Sequence, residues 1–375
     1  MKILMNFGDY NHTEDRKKLN TYGGVGYYRI INPAKQIKDH EVKVIGKEIL
    51  DFGDSLEEQW SNVFKQHDVF WTSYFSDDKA GAAIIYHAQQ AGKKFIVDVD
   101  DNYLDVPESN LLYDKFKPGK RDRAMLNTIL SFADAITVST EPLKERLYEY
   151  FEEVHGIKKK IFVIPNLNQI EDWDFKPVDK YGDRIVIGYS GSNSHQDDLK
   201  MVMPAIKHVM EKYPNVWFET IGVVEKGLIK EYFAGMNDDC LQRCAMLPAT
   251  STFKDYPYWL ANQKWDIGIA PLVDTPFTRS KSSIKWLEYS MYKIPTIASR
   301  VYPYYIDVQG RKTIEDKKTG LLVRNHEWKQ GLEKLIEDKV LRETLGQNAY
   351  DHVKDKWQYK NSRINETVNE MLSVV

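Results

Sequence analysis

The sequence predicts an α/β protein made of two consecutive doubly wound parallel sheets that face each other across a cleft. Short apolar runs alternate with helix-forming segments along most of the chain, which is typical of buried parallel strands covered by helices on both faces. The alternation stops once, in a polar segment, and then begins again. A length of 375 residues exceeds the usual range of one domain and suits two domains of ordinary size.

Composition and charge describe a soluble globular chain. Hydrophobic residues make up 42% and charged residues 29%, while 52 Lys and Arg against 55 Asp and Glu leave a formal charge of −3. That balance argues against a protein that coats nucleic acid throughout, although it leaves room for a local basic patch. The two cysteines, Cys240 and Cys244, exclude a disulfide framework, fit a reducing compartment and lack two further nearby ligands for zinc. The start of the chain has too short an apolar run for a signal peptide, and no segment approaches the roughly eighteen apolar residues of a membrane span, so we expect a cytoplasmic protein.

The first domain is predicted to span residues 1–167. Its first strand, at 2–7, runs into a glycine-rich turn at 22–26, which leads into a helix that begins at Tyr27. The helix at 79–90 is expected to stop at Gly92, because glycine readily adopts the left-handed conformation that ends helices. Further strands are predicted at 42–45, 69–71, 95–97, 135–138 and 161–164, and further helices at 123–132 and 141–151.

A polar, charged segment at 168–183, which carries Pro177, is predicted to be the interdomain linker. The alternation restarts in a second domain, residues 184–355, and a closing helix in residues 356–375 completes the chain. Ligands of doubly wound sheets lie outside the carboxyl ends of the strands, so the loops there are the candidates for chemistry. The second domain is predicted to contain strands at 185–189, 216–221, 267–270, 296–298 and 320–323, helices at 199–211 and 283–291, and an amphipathic helical region from Glu327.

The segment 279–290, with the sequence RSKSSIKWLEYS, is the strongest candidate site. It predicts a small-residue loop followed by a helix, with Ser282 and Ser283 as N-cap residues. Their N–H groups and that of Ile284 would point unsatisfied donors at the cleft, where the helix dipole adds positive charge. Lys281 supplies a full positive charge beside them, so the segment predicts an anion site.

Glu288 lies on the same predicted helix, five residues after Ser283. A carboxylate in that place is suited to accept hydrogen bonds from two vicinal hydroxyls, as on a ribose. The alternative is an ordinary N-capped amphipathic helix with Lys285 and Glu288 on a solvated face.

The second candidate site is the segment 187–199, with the sequence IGYSGSNSHQDDL. It predicts a strand, a turn of small residues and a helix, but it lacks the third glycine of the dinucleotide motif G-x-G-x-x-G. Gly191 and Ser192 would let a phosphate or sugar approach the backbone closely. His195 would donate a hydrogen bond to that phosphate, and near its pKa it would add charge. The alternative is a loop histidine bonded to a neighbouring carboxylate.

Two further candidates lie in the first domain. The glycines at 23–26 follow the first strand, where such loops often approach ligands, although a tight turn alone also demands glycine. The acidic segment Asp98–Asn102 follows a buried strand and suggests a metal site, a general base or a clamp for sugar hydroxyls. Its alternative is the capping of a turn or helix by Asp and Asn side chains.

Together these residues resemble the GT-B glycosyltransferases, and specifically the large retaining family four. The resemblance rests on GYSGSNSHQDDL, DIGIAPL, KSSIKWLEYSMYKIPTIAS and TGLLV, in that order, and covers most of residues 185–350. The first domain resembles the family more loosely, through YGGVGYYR and FIVDVDD. The resemblance implies two Rossmann-like domains, of which the second binds the nucleotide-sugar donor and the first the acceptor. It also implies a closing helix that crosses back to the first domain.

Some family roles transfer to single residues of the second domain. The second Glu of the family's E-x7-E element binds the donor ribose and corresponds to Glu288, whereas the first corresponds to Ser280, a departure from the pattern. The segment 281–284 stands where a family loop contacts the diphosphate and sugar. The family's Arg and Lys that neutralise the diphosphate correspond to Ser192 and His195, which leaves Lys281, helped by Arg279, as the expected cation.

In the first domain, the place where the family often has a His near the donor sugar corresponds to Asp100, with Asp101 beside it. We expect Asp100 to position the sugar rather than to act as a covalent nucleophile. The residues expected to act in catalysis are Lys281, Asp100 and His195; those expected to bind the donor are Gly24, Gly191, Ser192, Ser282, Ser283, Ile284, Lys285 and Glu288; and those expected on the acceptor side or in positioning the sugar are Tyr27, Arg29, Asp98 and Asp101.

The resemblance implies transfer of a sugar from a nucleoside diphosphate to an acceptor hydroxyl, with retention at the anomeric carbon and without a metal or another cofactor. The expected partners are a nucleotide sugar and an unidentified acceptor. One alternative is a glycosyltransferase that acts on hydroxylated bases of DNA, with Lys158–Lys160 and Lys115–Arg123 on a strand-binding face, although a solvated surface explains those basic runs equally well. A second is an epimerase or hydrolase of the nucleotide sugar, and a third is a non-catalytic GT-B module that binds a nucleotide sugar or a partner protein.

Overall fold

A computed structural model describes residues 1–9, 22–46, 52–75, 77–176, 182–192, 195–222, 232–250, 252–306 and 312–375. Within these residues the chain forms two six-stranded sheets, and helices connect the strands. Every pairing between neighbouring strands is parallel. The predicted fold class, an α/β protein with two doubly wound parallel sheets, is confirmed.

The first sheet has the strand order β2-β1-β3-β4-β5-β6. Its inner strands are mostly apolar and almost entirely buried, as expected of strands that are covered on both faces. The order reverses between β1 and β3, which places the loops that follow these two strands at a crevice. The strands are β1 Lys2–Asn6, β2 Glu41–Ile45, β3 Val69–Ser73, β4 Lys94–Val99, β5 Ala135–Val138 and β6 Ile161–Val163.

The second sheet has the order β12-β11-β10-β7-β8-β9, and its direction reverses between β7 and β10. This is the strand order of a dinucleotide-binding Rossmann sheet, in which the ligand lies at the reversal. The loop that begins at Gly191 follows β7, so it lies at that crevice. The strands are β7 Ile185–Ser190, β8 Val216–Ile221, β9 Cys244–Leu247, β10 Ile267–Ala270, β11 Thr296–Ser299 and β12 Leu321–Val323.

Most helices lie where the sequence pattern predicts them. The helix before Gly92 ends there, and the glycine has a φ of 60°, in the left-handed region. The predicted helix at Tyr27 is one turn of π-helix, Gly26–Ile31, which continues into a short α-helix. The helix Leu56–Gln66 lies outside the predicted elements. The α-helices are Asn32–Gln36, Leu56–Gln66, Asp78–Ala91, Tyr113–Phe116, Arg121–Phe132, Glu141–His155, Gln196–Lys212, Asp238–Gln242, Tyr256–Ala261, Pro276–Arg279, Ile284–Met291, Trp328–Glu337, Lys339–Lys356 and Ile364–Val374.

The segment predicted as the linker, 168–183, packs against the second domain over its first part, while residues 177–181 lie outside the described residues. A turn of 3₁₀-helix carries Trp173, which is buried and contacts the rings of Tyr256 and Tyr292. The backbone of Asn168 pairs with the segment around Gln358, close to the end of the chain. The described first part of the connection is therefore packed against the second domain and the end of the chain.

The closing helix, Ile364–Val374, contacts the first domain. The side chain of Asn365 accepts a hydrogen bond from the backbone N–H of Lys38 at 2.8 Å, and Asn369 bonds to His40 at 2.9 Å. Just before this helix, the hydroxyl of Tyr359 donates to the backbone carbonyl of Tyr28 at 2.6 Å. The end of the chain thus fixes the segment that follows the glycine-rich turn.

Candidate active site

A cavity of about 710 Å³ lies between the two sheets. Loops that follow β1 and β4 form one wall, and loops that follow β7, β8 and β10 form the other. Most of the predicted site residues line this cavity, namely Gly24, Arg29, Asp100, Asp101, Gly191, Ser192, His195, Lys281, Ser282, Ile284, Lys285 and Glu288.

The helix Ile284–Met291 points its N-terminus at the cavity. Ser283 is its N-cap by position, but its side chain makes no capping bond. The first N–H groups of a helix have no intrahelical acceptor and lie at the positive end of its dipole. Ser282 and Ile284 line the cavity, whereas Ser283 itself is buried beside it. The local sequence therefore places the N-terminus of this helix, on which the predicted anion site depends, at the cavity.

Lys285 is half-buried in the first turn of this helix and lines the cavity. Burial, followed by the charge of Lys281, lowers the pKa of its ammonium group to about 8. Its Nζ lies 5.5 Å from the centre of the Tyr189 ring, and within the described part of the chain it forms no ion pair with a carboxylate. An anion that enters the cavity would therefore meet a cation without a competing partner.

Lys281 instead forms an ion pair across the cleft. Its Nζ lies 3.0 Å and 3.3 Å from the two carboxylate oxygens of Asp101, which follows β4 in the first domain. Both side chains are partly exposed, and Lys281 also lies over the ring of Phe277. Arg279, expected to help as a cation, does not reach the cavity, because its guanidinium pairs with the exposed Asp274 at 2.6 Å.

His195 lies on the loop after β7 and faces both lysines. Its Nδ1 lies 2.8 Å from Oδ2 of Asp198, whose other oxygen accepts a hydrogen bond from the N–H of Val273 at 2.7 Å. Burial, then the charges of Lys285 and Lys281, lower the pKa of the imidazole well below its usual value. The ring is thus neutral near pH 7, so it does not carry there the charge expected of it from the sequence. The two residues before it lie outside the described part of the chain.

Glu288 is buried at the far side of the helix N-terminus, with 5% of its surface exposed. Its Oε1 accepts a hydrogen bond from the hydroxyl of Tyr28 at 3.0 Å, and its Oε2 accepts one from Tyr256 at 3.1 Å. Burial raises the pKa of the carboxyl group to about 7, and these two bonds, followed by the charge of Lys285, oppose the rise. The glutamate therefore lines the cavity and does not lie on a solvated face.

Two carboxylates of the first domain face the cavity and form no ion pair with a basic side chain among the residues that the structure describes. Asp100 accepts a hydrogen bond from the Tyr103 hydroxyl at 2.7 Å, and burial, then the charge of Asp101, raise its pKa to about 6. Asp9, which follows β1, accepts a bond from the N–H of Gly26 at 2.7 Å, and burial raises its pKa to about 7. The cavity is therefore basic on one wall and acidic on the other.

Three residues that were predicted on the acceptor side form hydrogen bonds or ion pairs within the protein instead. Arg29 and Asp98 form a buried pair, with Nε 2.9 Å from Oδ1 and NH2 2.7 Å from Oδ2, and Arg29 also donates to Asn166 at 2.9 Å. Arg29 lines the cavity, but its guanidinium is already bonded to Asp98 of β4 and to Asn166, which follows β6. These bonds connect the two strands. Asp98 is 1% exposed and lies outside the cavity lining, as does Tyr27, whose hydroxyl donates to Asp172 at 2.9 Å. Their geometry is that of structural residues.

Some cavity residues were outside the predicted set. Asp9 follows the first strand and could have been found from its place at a carboxyl end. Tyr256 and Asn166 carry no local signal, because only the tertiary structure brings them to the cleft. Asn166 donates to Oγ of Ser282 at 2.9 Å, so it supports the anion-binding loop from the opposite domain.

The basic runs considered for a nucleic-acid face have intramolecular partners. Lys159 donates to the backbone carbonyls of Ser131 at 2.8 Å and Ala133 at 2.6 Å, and Lys160 donates to that of Val374. Arg123 donates to the carbonyl of Leu104 at 2.9 Å. These contacts favour a structural and solvated surface over a strand-binding one.

Two properties of the described residues concern metals and membranes. No group of three or more His, Cys, Asp or Glu side chains among them is arranged to hold a metal ion. None of the helices that the structure describes combines the length and the apolar character needed to cross a membrane.

Comparisons with known proteins identify the fold. No protein-family model and no curated protein matches the sequence. A glycosyltransferase from Rickettsia africae superimposes with a TM-score of 0.63 at 13% identity, over 100% of this chain and 98% of its own. A UDP-forming α,α-trehalose-phosphate synthase from Burkholderia xenovorans gives 0.59 at 11% identity, over 100% and 99%. TarM of S. aureus gives 0.57 at 13% identity over 85% of this chain, which spans 58% of the length of TarM. These likenesses confirm the predicted two-domain GT-B fold.

Proposed function

We propose that the protein is a glycosyltransferase that moves a sugar from a nucleoside-diphosphate donor to an acceptor hydroxyl. The observation that carries the proposal is the basic wall of the cavity. There, Lys285 lies in the first turn of the helix Ile284–Met291, about one turn before the buried carboxylate Glu288, and Lys281 lines the same cavity just before the helix begins. A volume of about 710 Å³ is within the range of small-molecule sites. Such a wall suits a diphosphate linked to a ribose.

Catalysis in this proposal comes from stabilising the leaving diphosphate. Fixed positive groups that face developing charge in a dry site usually supply the largest catalytic effect. Lys285 serves as the resident cation, and the helix N-terminus donates N–H groups to the phosphate oxygens. Lys281 joins them once the diphosphate competes with Asp101 for its ammonium group. No covalent nucleophile is required, because the leaving phosphate can take the proton of the acceptor hydroxyl.

The acidic wall serves the sugar in this proposal. Carboxylates accept hydrogen bonds from hydroxyls, so Asp100 and Asp9 would orient the transferred sugar or the acceptor. Retention at the anomeric carbon and independence of metal belong to the proposal and rest on the resemblance to the retaining family. The acceptor itself is open.

Two structural neighbours suggest which donors to test first. TarM was crystallised with UDP and α-GlcNAc-glycerol, and the Burkholderia enzyme is UDP-forming. At such low identities these likenesses show the fold alone, so they set only the order of the trials. UDP-sugars come first, followed by GDP-, ADP- and dTDP-sugars.

The test is release of nucleoside diphosphate from a panel of nucleotide sugars in EDTA, with sugars and hydroxymethylated DNA among the acceptors. We expect Lys285→Ala and Glu288→Ala to lose release, whereas Lys329→Ala, which changes an exposed lysine on a distant helix, keeps it. Conversion of the donor without transfer would indicate an epimerase or hydrolase instead. If no nucleotide sugar is turned over and no nucleoside diphosphate raises the melting temperature, the proposal is wrong.

A further inference from the structure

We propose that Tyr28 of the first domain is a positioning residue that orients Glu288 of the second domain toward the vicinal diol of a donor ribose. The inference rests on the proposed function and adds a residue that the predicted site lacks. It also makes recognition of the nucleoside depend on a contact between the two domains.

The geometry leaves Glu288 two acceptor positions for a ligand. A carboxylate has about four lone-pair positions on its two oxygens. Tyr28 occupies one position on Oε1 at 3.0 Å, and Tyr256 occupies one on Oε2 at 3.1 Å. Counting the bonds of the described residues, each oxygen keeps one free position, and the buried side chain of Glu288 lines the cavity. Two free positions on two oxygens match the two hydroxyls of a vicinal diol.

The hydroxyl of Tyr28 is held in place from several sides. The residue is 2% exposed, and its ring meets the rings of Tyr27 and Phe253 edge-on at 4.8 Å and 5.3 Å. Its backbone carbonyl accepts the bond from Tyr359 at 2.6 Å. The second tyrosine, Tyr256, bonds to Ser190 at 2.8 Å. Both donors to Glu288 are thus rigid, and only Tyr28 comes from the opposite domain.

The same contacts control the charge of Glu288. The groups that face it are the hydroxyls of Tyr28 and Tyr256, the ammonium of Lys285, and the buried hydroxyls of Tyr289 and Tyr304. Burial raises the pKa of the carboxyl group to about 7 even with both tyrosine bonds present. A bond donated to the charged form lowers a carboxyl pKa, so loss of the Tyr28 hydroxyl raises it further. A protonated Glu288 accepts fewer bonds from a diol, and the loss is reversed at higher pH.

The experiment compares binding of UDP, ADP and GDP with binding of their 2′,3′-dideoxy forms by calorimetry. The ratio of the two affinities isolates the diol, because both ligands share the base and the diphosphate. We expect Tyr28→Phe to reduce this ratio about tenfold near pH 7, the effect of one bond to a charged group, and to recover part of it near pH 9. Tyr27→Phe is the matched control, because its hydroxyl bonds to Asp172 in the same aromatic cluster.

Each outcome decides the question. Wild-type protein that binds none of the three diphosphates overturns this inference, and if it does not bind dTDP either, it contradicts the proposed function itself. Wild-type protein that binds the nucleotides and their dideoxy forms equally shows that Glu288 does not hold a diol. If Tyr28→Phe leaves the ratio unchanged, whether or not both affinities fall, the positioning role alone is overturned. Glu288→Gln, measured in parallel, must abolish the dependence of the ratio on pH.

Discussion

The ion pair between Lys281 and Asp101 crosses the cleft at the proposed anion site. The carboxylate holds the ammonium group at 3.0 Å, so an incoming diphosphate must compete with it. We predict that Asp101→Asn binds inorganic pyrophosphate about threefold more tightly, because a partly exposed ion pair contributes roughly 1 kcal/mol or less. Calorimetry measures the change, and it should vanish in the double variant with Lys281→Ala. Weaker binding in Asp101→Asn would show that the aspartate positions the lysine for the ligand.

A second prediction for a single residue concerns His195 and the dependence of UDP binding on pH. Its pKa is lowered by burial and by Lys285 and Lys281, so the ring is neutral near pH 7, and its Nδ1 faces Asp198. A bound diphosphate favours the imidazolium, so binding takes up a proton and affinity for UDP rises as the pH falls from about 8 to about 6. His195→Gln should lose this part of the pH dependence.

Calorimetry of both proteins at the two pH values checks the prediction for His195. The ligand titrates identically in the two experiments, so the difference between the proteins isolates the histidine. Equal pH dependence in the wild type and His195→Gln would exclude proton uptake at this ring.

The sequence predicts the positions of some site residues and not of others. Lys285 and Glu288 were predicted at the site because helix geometry is local and fixes both relative to the N-terminus. The partners of Glu288 were not predicted, since Tyr28 lies far from it in sequence and only the folded chain joins them. Asp98 was predicted at the cavity, but the structure buries it in an ion pair with Arg29. The side chains of a strand alternate between two faces, so a residue near the end of β4 need not point into the cavity.

At the scale of elements, two glycines in the central strands of the second sheet allow aromatic rings to pack directly against the backbone. Gly188 of β7 lies opposite Gly268 of β10 in the parallel pairing. A Cβ atom on Gly188 would lie 1.8 Å from the Trp265 ring, and one on Gly268 would lie 2.4 Å from the Tyr289 ring. These aromatic rings thus lie directly on the strands whose loops form the crevice.

We predict that Gly188→Ala lowers the stability of the protein by roughly 1–3 kcal/mol, the usual effect of overpacking a core. Gly46→Ala is the control, because among the described residues its Cβ would meet only the Phe7 ring, at an ordinary 3.5 Å. Thermal denaturation followed by circular dichroism should show a lower melting temperature for the first variant only. Equal melting temperatures would mean that Trp265 moves without cost.

Elements were predicted well where one strong pattern governs them. Buried parallel strands are continuous apolar runs, and Gly92 marks the end of its helix in the sequence. The helix Leu56–Gln66 is harder to recognise because its sequence is largely polar, and its apolar residues Trp60, Val63 and Phe64 are few. Trp173 packs inside a segment whose charged composition predicts an exposed linker. Whether such segments fold and become buried depends on tertiary packing, which the local sequence pattern does not show.

At the scale of the molecule, contacts from the first domain converge on the anion-binding segment 280–288. Thr140 donates to the carbonyl of Ser280 at 2.7 Å, and Asn166 donates to Ser282 at 2.9 Å. Asn168, the first residue of the predicted linker, donates to the carbonyl of Leu287 at 2.9 Å. A ligand that orders this segment must therefore also strengthen the contact between the domains.

Hydrogen exchange tests this coupling, since local opening of a segment sets the exchange of its amides. We predict that UDP slows exchange in residues 98–102 and 164–168 of the first domain as well as in residues 280–288. Asn166→Ala removes one of the bonds across the cleft and should reduce the protection of residues 164–168. Asn62→Ala, whose side chain bonds to Phe52 within the first domain, should behave like the wild type. Protection limited to residues 280–288 in the wild type would show that the first domain does not respond to the donor.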